Sequence, residues 1–142
     1  MLYRYAERID AGDLEGLAGL FSEAEFLDAM GRVVATGKAE LFALFKAAVK
    51  IDPNSGTPGT KHVTSNVIIE VDEVACSAAA RSYFTVFQAV QGSPLQAIIA
   101  GRYNDQFLRV NNVWQFQKRC VITELYGDVS DHLHYDPRVI TA

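Results

Sequence analysis

The chain reads as an α+β domain. Helical apolar spacing fills the N-terminal region, a dense cluster of turn residues at Asp52-Pro-Asn-Ser-Gly-Thr-Pro-Gly59 closes it, and long apolar and aromatic stretches follow to residue 126. Its 142 residues, 49% hydrophobic and 21% charged, are the length of one domain with enough apolar material for a core.

Each element has its own signal. Leu2, Tyr5, Ala6 and Ile9 recur at helical spacing; Ala11-Gly12 then stops that helix, and Asp13 caps a second through Leu14, Leu17, Ala18 and Phe21. A short extended piece is expected at 25–27 and a strand or hairpin at 31–36. Gly37-Lys-Ala-Glu40 opens a third helix through Leu41, Leu44, Phe45 and Ala48. Beyond the loop at 52–59, strands are expected at 61–71, 75–90, 95–109 and 113–126, separated by turn residues. These exceed the usual length of about 5–6 residues, which predicts a strongly curved, mostly antiparallel sheet with bulges. Three N-terminal helices should cover one side of it. Residues 127–142 show no sustained period and are expected to be a tail that crosses the surface or reaches a neighbouring subunit. No repeat or linker divides the chain, so 1–142 is read as a single domain.

Charge narrows the function classes. A net charge of -4, with 13 dispersed Lys and Arg, argues against a nucleic-acid partner. No apolar run approaches the roughly 20 residues that span a bilayer, and the first residues lack the basic-then-apolar order of a signal peptide, so no membrane partner and a cytoplasmic location are expected. Met1 leads straight into a helical pattern, which is compatible with further sequence ahead of it. Cys76 and Cys120 sit far apart in apolar stretches and read as reduced core thiols, without disulfide or metal.

Two segments carry most of the chemistry: Tyr5-Ala-Glu-Arg-Ile-Asp10-Ala-Gly-Asp13 and Lys61-His62-Val-Thr-Ser-Asn66. An aspartate at a helix C-terminus opposes the macrodipole, so Asp10 calls for a partner cation, for solvent, or for the amides of the Ala11-Gly12 corner. Strand alternation puts His62, Thr64, Asn66, Ile68 and Glu70 on one polar face. If Asp10 accepts from one imidazole nitrogen, the other is left free to take a proton, making His62 a general base; the alternative is a structural histidine. Tyr3 and Tyr5 are nearby phenol donors or simply core aromatics. Tyr5 and Asp10 lie about 140 degrees apart on an ideal helix, whereas Tyr3 and Asp10 nearly align. Asp28 is a rival carboxylate base or a turn residue. Tyr103, Asp105 and Phe107 share one face of a strand, with Arg102, Asn104 and Gln106 on the other; either polar set can reach a ligand. Arg102 and Arg109 read as anion binders or, more simply, as salt-bridge partners. His132-Leu-His134 offers two ligands and no third, too few for a metal site.

The order and spacing of Tyr5–Phe21, Gly37-Lys-Ala-Glu40, His62-Val-Thr-Ser-Asn66, Gly101-Arg-Tyr-Asn-Asp105 and Val113-Trp114 resemble the SnoaL-like branch of the nuclear transport factor 2-like superfamily, which includes scytalone dehydratase, bile acid dehydratase and hexachlorocyclohexane dehydrochlorinase. The resemblance implies a cone-shaped fold around an apolar pocket that takes a small hydrophobic substrate. It also implies an Asp10–His62 base dyad assisted by Tyr5, and association into a homodimer or higher homo-oligomer. Ile99-Ala-Gly-Arg-Tyr103 lacks the second histidine that scytalone dehydratase carries on a later strand. The expected activity is a dehydratase-like lyase, or an isomerase or cyclase, acting on a cyclic or polyketide-like substrate. Tyr3, Asp28, Asn66, Tyr103 and Asp105 are candidates to contact it. No metal or organic cofactor is required for such chemistry. A non-catalytic ligand-binding or assembly domain is the reading from a different class.

Overall fold

The computed structural model describes residues 1–140, apart from the side chain of Ile140. Its elements are α1 (Leu2–Asp10), α2 (Leu14–Gly19), β1 (Glu25–Leu27), β2 (Val33–Thr36), α3 (Gly37–Ala48), β3 (Thr60–Asp72), β4 (Ser77–Gln88), β5 (Gln96–Val110), β6 (Val113–Tyr126) and α4 (Pro137–Ile140). The six strands form one sheet in the order β2-β1-β6-β5-β4-β3, antiparallel throughout except for the β1–β6 pair.

The N-terminal corner follows from its residues. α1 buries Leu2, Tyr5 and Ile9. It ends where Gly12 takes a φ of +74°; a Cβ there would lie 2.1 Å from the Gly56 carbonyl oxygen, so only glycine lets the corner touch the 52–59 loop. Asp13 then caps α2 by accepting from the Gly16 amide at 2.8 Å and also pairs with Arg8. At α3, the Glu40 carboxylate reaches back one turn to accept from the Thr36 amide at 2.8 Å, satisfying an amide at the helix start. Leu41 and Phe45 turn inward and join Leu17, Phe21 and Phe26 in the core.

Bulges curve the sheet and reset its faces. Between Ser65 and Ile68 the register of β3 against β4 shifts by one residue, and Asn66 sits there at a φ of 54°. Thr60, His62 and Thr64 therefore face inward opposite Gln88, Val86 and Phe84. After the bulge, Ile69 and Val71 take that inner face opposite Ala80 and Ala78. The simple alternation that grouped Ile68 and Glu70 with His62 is corrected by this extra residue, which turns both outward beside Arg81 and Ala79.

The C-terminal segment does more than cross the surface. Val129 and His132 are buried. Leu133 bridges Val49, the Lys50 amide donates to the His132 carbonyl at 2.8 Å, and the His134 amide donates to Ala48 at 3.0 Å. Gln88 Nε2 donates to the carbonyls of Pro58 and Asp131, tying the loop, β4 and this segment together. Residues 141–142 of the expected tail lie outside the described residues.

Candidate active site

α1 delivers Asp10 and the first turn of β3 delivers Thr60 and His62, so the two segments singled out by sequence meet. Asp10 Oδ1 lies 2.6 Å from His62 Nδ1 and accepts from Thr60 Oγ1 at 2.8 Å, while Oδ2 accepts from the His62 backbone amide at 2.8 Å. The histidine and aspartate side chains are only 6% and 11% exposed. This resolves the oddly placed aspartate: its partners lie on β3, not at the Ala11-Gly12 corner. Burial would raise its pKa, but the hydrogen bonds and charge of His62, with help from Thr60, outweigh burial and hold the carboxyl below its ordinary 3.8. An ionised carboxylate only accepts, so in the neutral imidazole the proton sits on Nδ1 and Nε2 is left as the acceptor.

Tyr5 joins the pair through its ring, whose centroid is 6.4 Å from that of His62. The angular separation of Tyr5 and Asp10 on α1 is bridged because β3 crosses the helix end and places His62 between them. Tyr5 is buried among Phe21, Phe45 and Tyr103, and Tyr103 stacks on Phe84 at 4.4 Å. Burial raises the Tyr5 phenol above its usual range, opposed by the charge of Arg119, and raises Tyr103 further. Both phenols are therefore neutral donors at ordinary pH.

Arg119 was not singled out from sequence. Its side chain and that of Asp105 are fully buried, joined by two hydrogen bonds of 2.8 Å. The guanidinium carbon lies 4.4 Å from the Tyr5 ring and 3.9 Å from the Tyr103 ring. Burial alone would lower its pKa, but Asp105 overcomes that and raises it, so the cation is permanent. Nη1 has no hydrogen-bond partner among the described residues. Tyr103 and Asp105 are thus brought inward as the shared strand face predicts, with Asp105 occupied by Arg119.

A second residue beside the dyad is His132, which the sequence offered only as half of a histidine pair too small for a metal site. Its ring centroid lies 6.0 Å from that of His62, on a residue only 3% exposed. Burial, then the charge of His62, lower its pKa to about 4, opposed by Asp10.

The other candidates lie elsewhere. Tyr3 is 63% exposed. Asp28 accepts from the Met30 and Arg32 amides and pairs with the Arg32 side chain, which is its turn role. Asn66 is exposed at the bulge. Arg102 and Arg109 pair with Glu124 and Glu73. Two surface clefts, of about 700 Å³ beside Gly12, Phe42 and Lys50 and about 310 Å³ across the outer sheet face at Glu70, Arg81 and Lys118, are not lined by Asp10, Tyr5 or His62. Among the described residues no three His, Cys, Asp or Glu side chains are grouped to hold a metal ion, and no helix is long and apolar enough to cross a membrane.

Residues 1–120 match the family model described as a SnoaL-like domain. The chain belongs to this family. Among solved structures, this SnoaL-like protein is similar to an NTF2-like protein with a cystatin-like fold from Novosphingobium aromaticivorans (23% identity, 92% of this chain and 80% of the other, TM-score 0.68). It is also similar to a putative scytalone dehydratase from the same organism (23% identity, 89% and 81% covered, TM-score 0.67). LinA is a further match (22% identity, 96% and 89% covered, TM-score 0.66). At these identities the likeness establishes the fold. No curated protein matches the sequence.

Proposed function

We propose that this SnoaL-like protein is a cofactor-independent lyase of the dehydratase type, with His62 as base, Asp10 as its orienting partner and Tyr5 as proton donor. The observation that carries this reading is the buried 2.6 Å contact between Asp10 and His62 Nδ1, which leaves Nε2 as an acceptor. In the elimination, Nε2 takes a proton from the carbon beside a carbonyl, the C–H electron pair becomes the new double bond, and the β-hydroxyl leaves as water, protonated either by His62 returning its proton or by Tyr5, whose phenolate then recovers a proton from His62. Atoms and electrons balance without an oxidant. Arg119 supports the step by placing a fixed positive charge behind the Tyr5 and Tyr103 rings, where it favours negative charge developing on a bound oxygen.

The substrate class is read from the apolar side chains that share the inner sheet face with His62. Phe84, Tyr103, Val86 and, further along the same inner face, the exposed Ile69 and Val71 favour a hydrophobic cyclic or polyketide-like molecule. A homodimer or higher homo-oligomer belongs to the same reading, since Val63, Ile68 and Tyr83 stand exposed on the outer sheet face. The test is a panel of cyclic hydroxy ketones assayed with the parent protein, His62→Ala and Asp10→Asn. Turnover by the parent that persists in both variants sinks the dyad.

One observation favours a second reading, a non-catalytic ligand-binding or assembly domain: the ring of His62 is flanked by Tyr5 and His132, and neither surface cleft reaches it. Saturable binding of the same ketones without conversion is the outcome that selects it. An isomerase built on Asp28 draws no support, because that carboxylate is engaged in its own turn.

A further inference from the structure

The C-terminal segment carries a histidine whose burial packing alone does not explain. His132 is 3% exposed, and its Nδ1 has no hydrogen-bond partner among the described residues. A phenylalanine would fill comparable space without an unpaired nitrogen, so an imidazole held there works against stability. A residue that costs stability where an apolar one would serve marks a functional position.

The placement says what the function is. His132 packs edge-on with His62, at 6.0 Å between ring centroids and 63° between planes. Its backbone is fixed on both sides, by its carbonyl accepting from the Lys50 amide at 2.8 Å and by its own amide donating to the Val129 carbonyl at 3.0 Å, so the ring is presented by a clamped segment. With Nδ1 enclosed and unpaired, the proton of the neutral ring belongs on Nε2, because an enclosed N–H without an acceptor is the worse arrangement. The charged and titratable groups acting on this ring are His62 and Asp10, and burial keeps it neutral above about pH 4.

We propose that His132 is a second imidazole of the site, donating from Nε2, while uncharged, to the carbonyl or hydroxyl oxygen of the ligand whose C–H proton His62 removes. This rests on the proton-transfer reading of the dyad. It assigns the C-terminal segment to the site and makes the ligand one with an oxygen next to the reacting carbon. A neutral donor can hold that oxygen without lowering the proton affinity of His62, which a cation in the same place would do.

The experiment uses the full chain with β-hydroxycyclohexanone as substrate and cyclohexenone, its dehydration product, as binding probe. His132→Phe, His132→Gln and His62→Ala are compared with the parent by turnover, thermal midpoint and imidazole NMR shifts on adding cyclohexenone. Expected are a thermal midpoint for His132→Phe at or above the parent's, a loss of at least about tenfold in kcat/KM that is equal at pH 6 and 8, and recovery of most of it by His132→Gln, whose amide donates without charge. In the parent, cyclohexenone should shift both imidazoles. Full activity in His132→Phe, a lower midpoint with no rescue by glutamine, or a shift at His62 alone overturns the role of His132 and leaves the dyad standing. Unchanged turnover in His62→Ala, or no turnover and no shift at either ring in the parent, overturns the proton-transfer reading itself.

Discussion

Asp10→Asn is the sharpest perturbation of the site, because the geometry dictates how the amide must sit. The carboxylate accepts three hydrogen bonds, Oδ2 from the His62 backbone amide and Oδ1 from Thr60 and the His62 ring. Asparagine offers one oxygen and one NH2. If its oxygen takes the Oδ1 place, the NH2 faces the His62 backbone N–H, two donors with no remedy. If it flips, the oxygen serves the backbone, the Thr60 hydroxyl turns to accept, and His62 Nδ1 must accept as well. A backbone N–H cannot change character but a hydroxyl and an imidazole can, so the flipped form wins. The imidazole proton then moves to Nε2, the nitrogen the reaction needs empty. Loss of a charge-assisted hydrogen bond alone is worth about 1.5–3 kcal/mol, or roughly 10- to 150-fold in rate. The inverted tautomer extends the loss toward about 10⁴-fold, the size seen when the same substitution misorients a catalytic histidine. The assay pairs kcat/KM on a cyclic hydroxy ketone with the ¹⁵N shifts of the His62 ring. Activity within threefold of the parent, or a ring still protonated on Nδ1, refutes the reasoning.

Other perturbations separate the remaining roles. Tyr5→Phe keeps the ring against Arg119 and removes only the phenol, so stability should hold within about 1 kcal/mol while kcat falls about 10²-fold; undiminished kcat would reduce Tyr5 to packing. Asp105→Ala strands a fully buried Arg119 and should cost about 3–5 kcal/mol in urea unfolding, with a cost below about 1 kcal/mol contradicting the buried pair. His132 is depressed from 6.5 to about 4, so its contribution to stability is complete above pH 6.5 and is lost as pH falls from 6.5 toward 4. His132→Phe should remove that loss, up to about 3 kcal/mol, from a plot of unfolding free energy against pH; an unchanged slope would mean that the ring charges freely. Asn66 holds a φ of 54°, so Asn66→Gly should be tolerated and Asn66→Val should cost about 1–3 kcal/mol in thermal unfolding, equal midpoints arguing against the bulge.

Much of this was legible in the chain. Helical spacing, the Asp13 cap and the turn cluster at 52–59 set the helices, and the four long strands end within a few residues of their turn signals. Asp10 was readable because a carboxylate at a helix C-terminus needs a partner, and His62 because it opens a strand with polar alternation. What escaped was parity. Between Gln106 and Phe107 the β5–β6 register shifts, so that Phe116 and Arg119, three residues apart, both face inward. Strict alternation sends Arg119 outward with the ordinary surface cations of a Lys-Arg pair. The place of His132 beside the dyad escaped for a different reason: its segment has no period, and its burial depends on backbone bonds to Ala48 and Lys50, which no local pattern encodes.

The same irregularities that hide these residues are what make a site possible. A strictly alternating sheet with an apolar inner face offers no polar group to a ligand inside it, whereas one extra residue changes which side chains turn in. On β3 the bulge lies after Thr64, so the strand is polar where it meets Asp10 and apolar along the rest of its inner face. On β6 the bulge brings a cation inward at the one place where Asp105 can neutralise it and two aromatic rings can cover it. Burying that pair is costly, and an apolar substitute of the same volume would often serve stability as well. Its position behind Tyr5 and Tyr103, beside a dyad that must pass a proton, gives the buried charge a reason that packing does not supply.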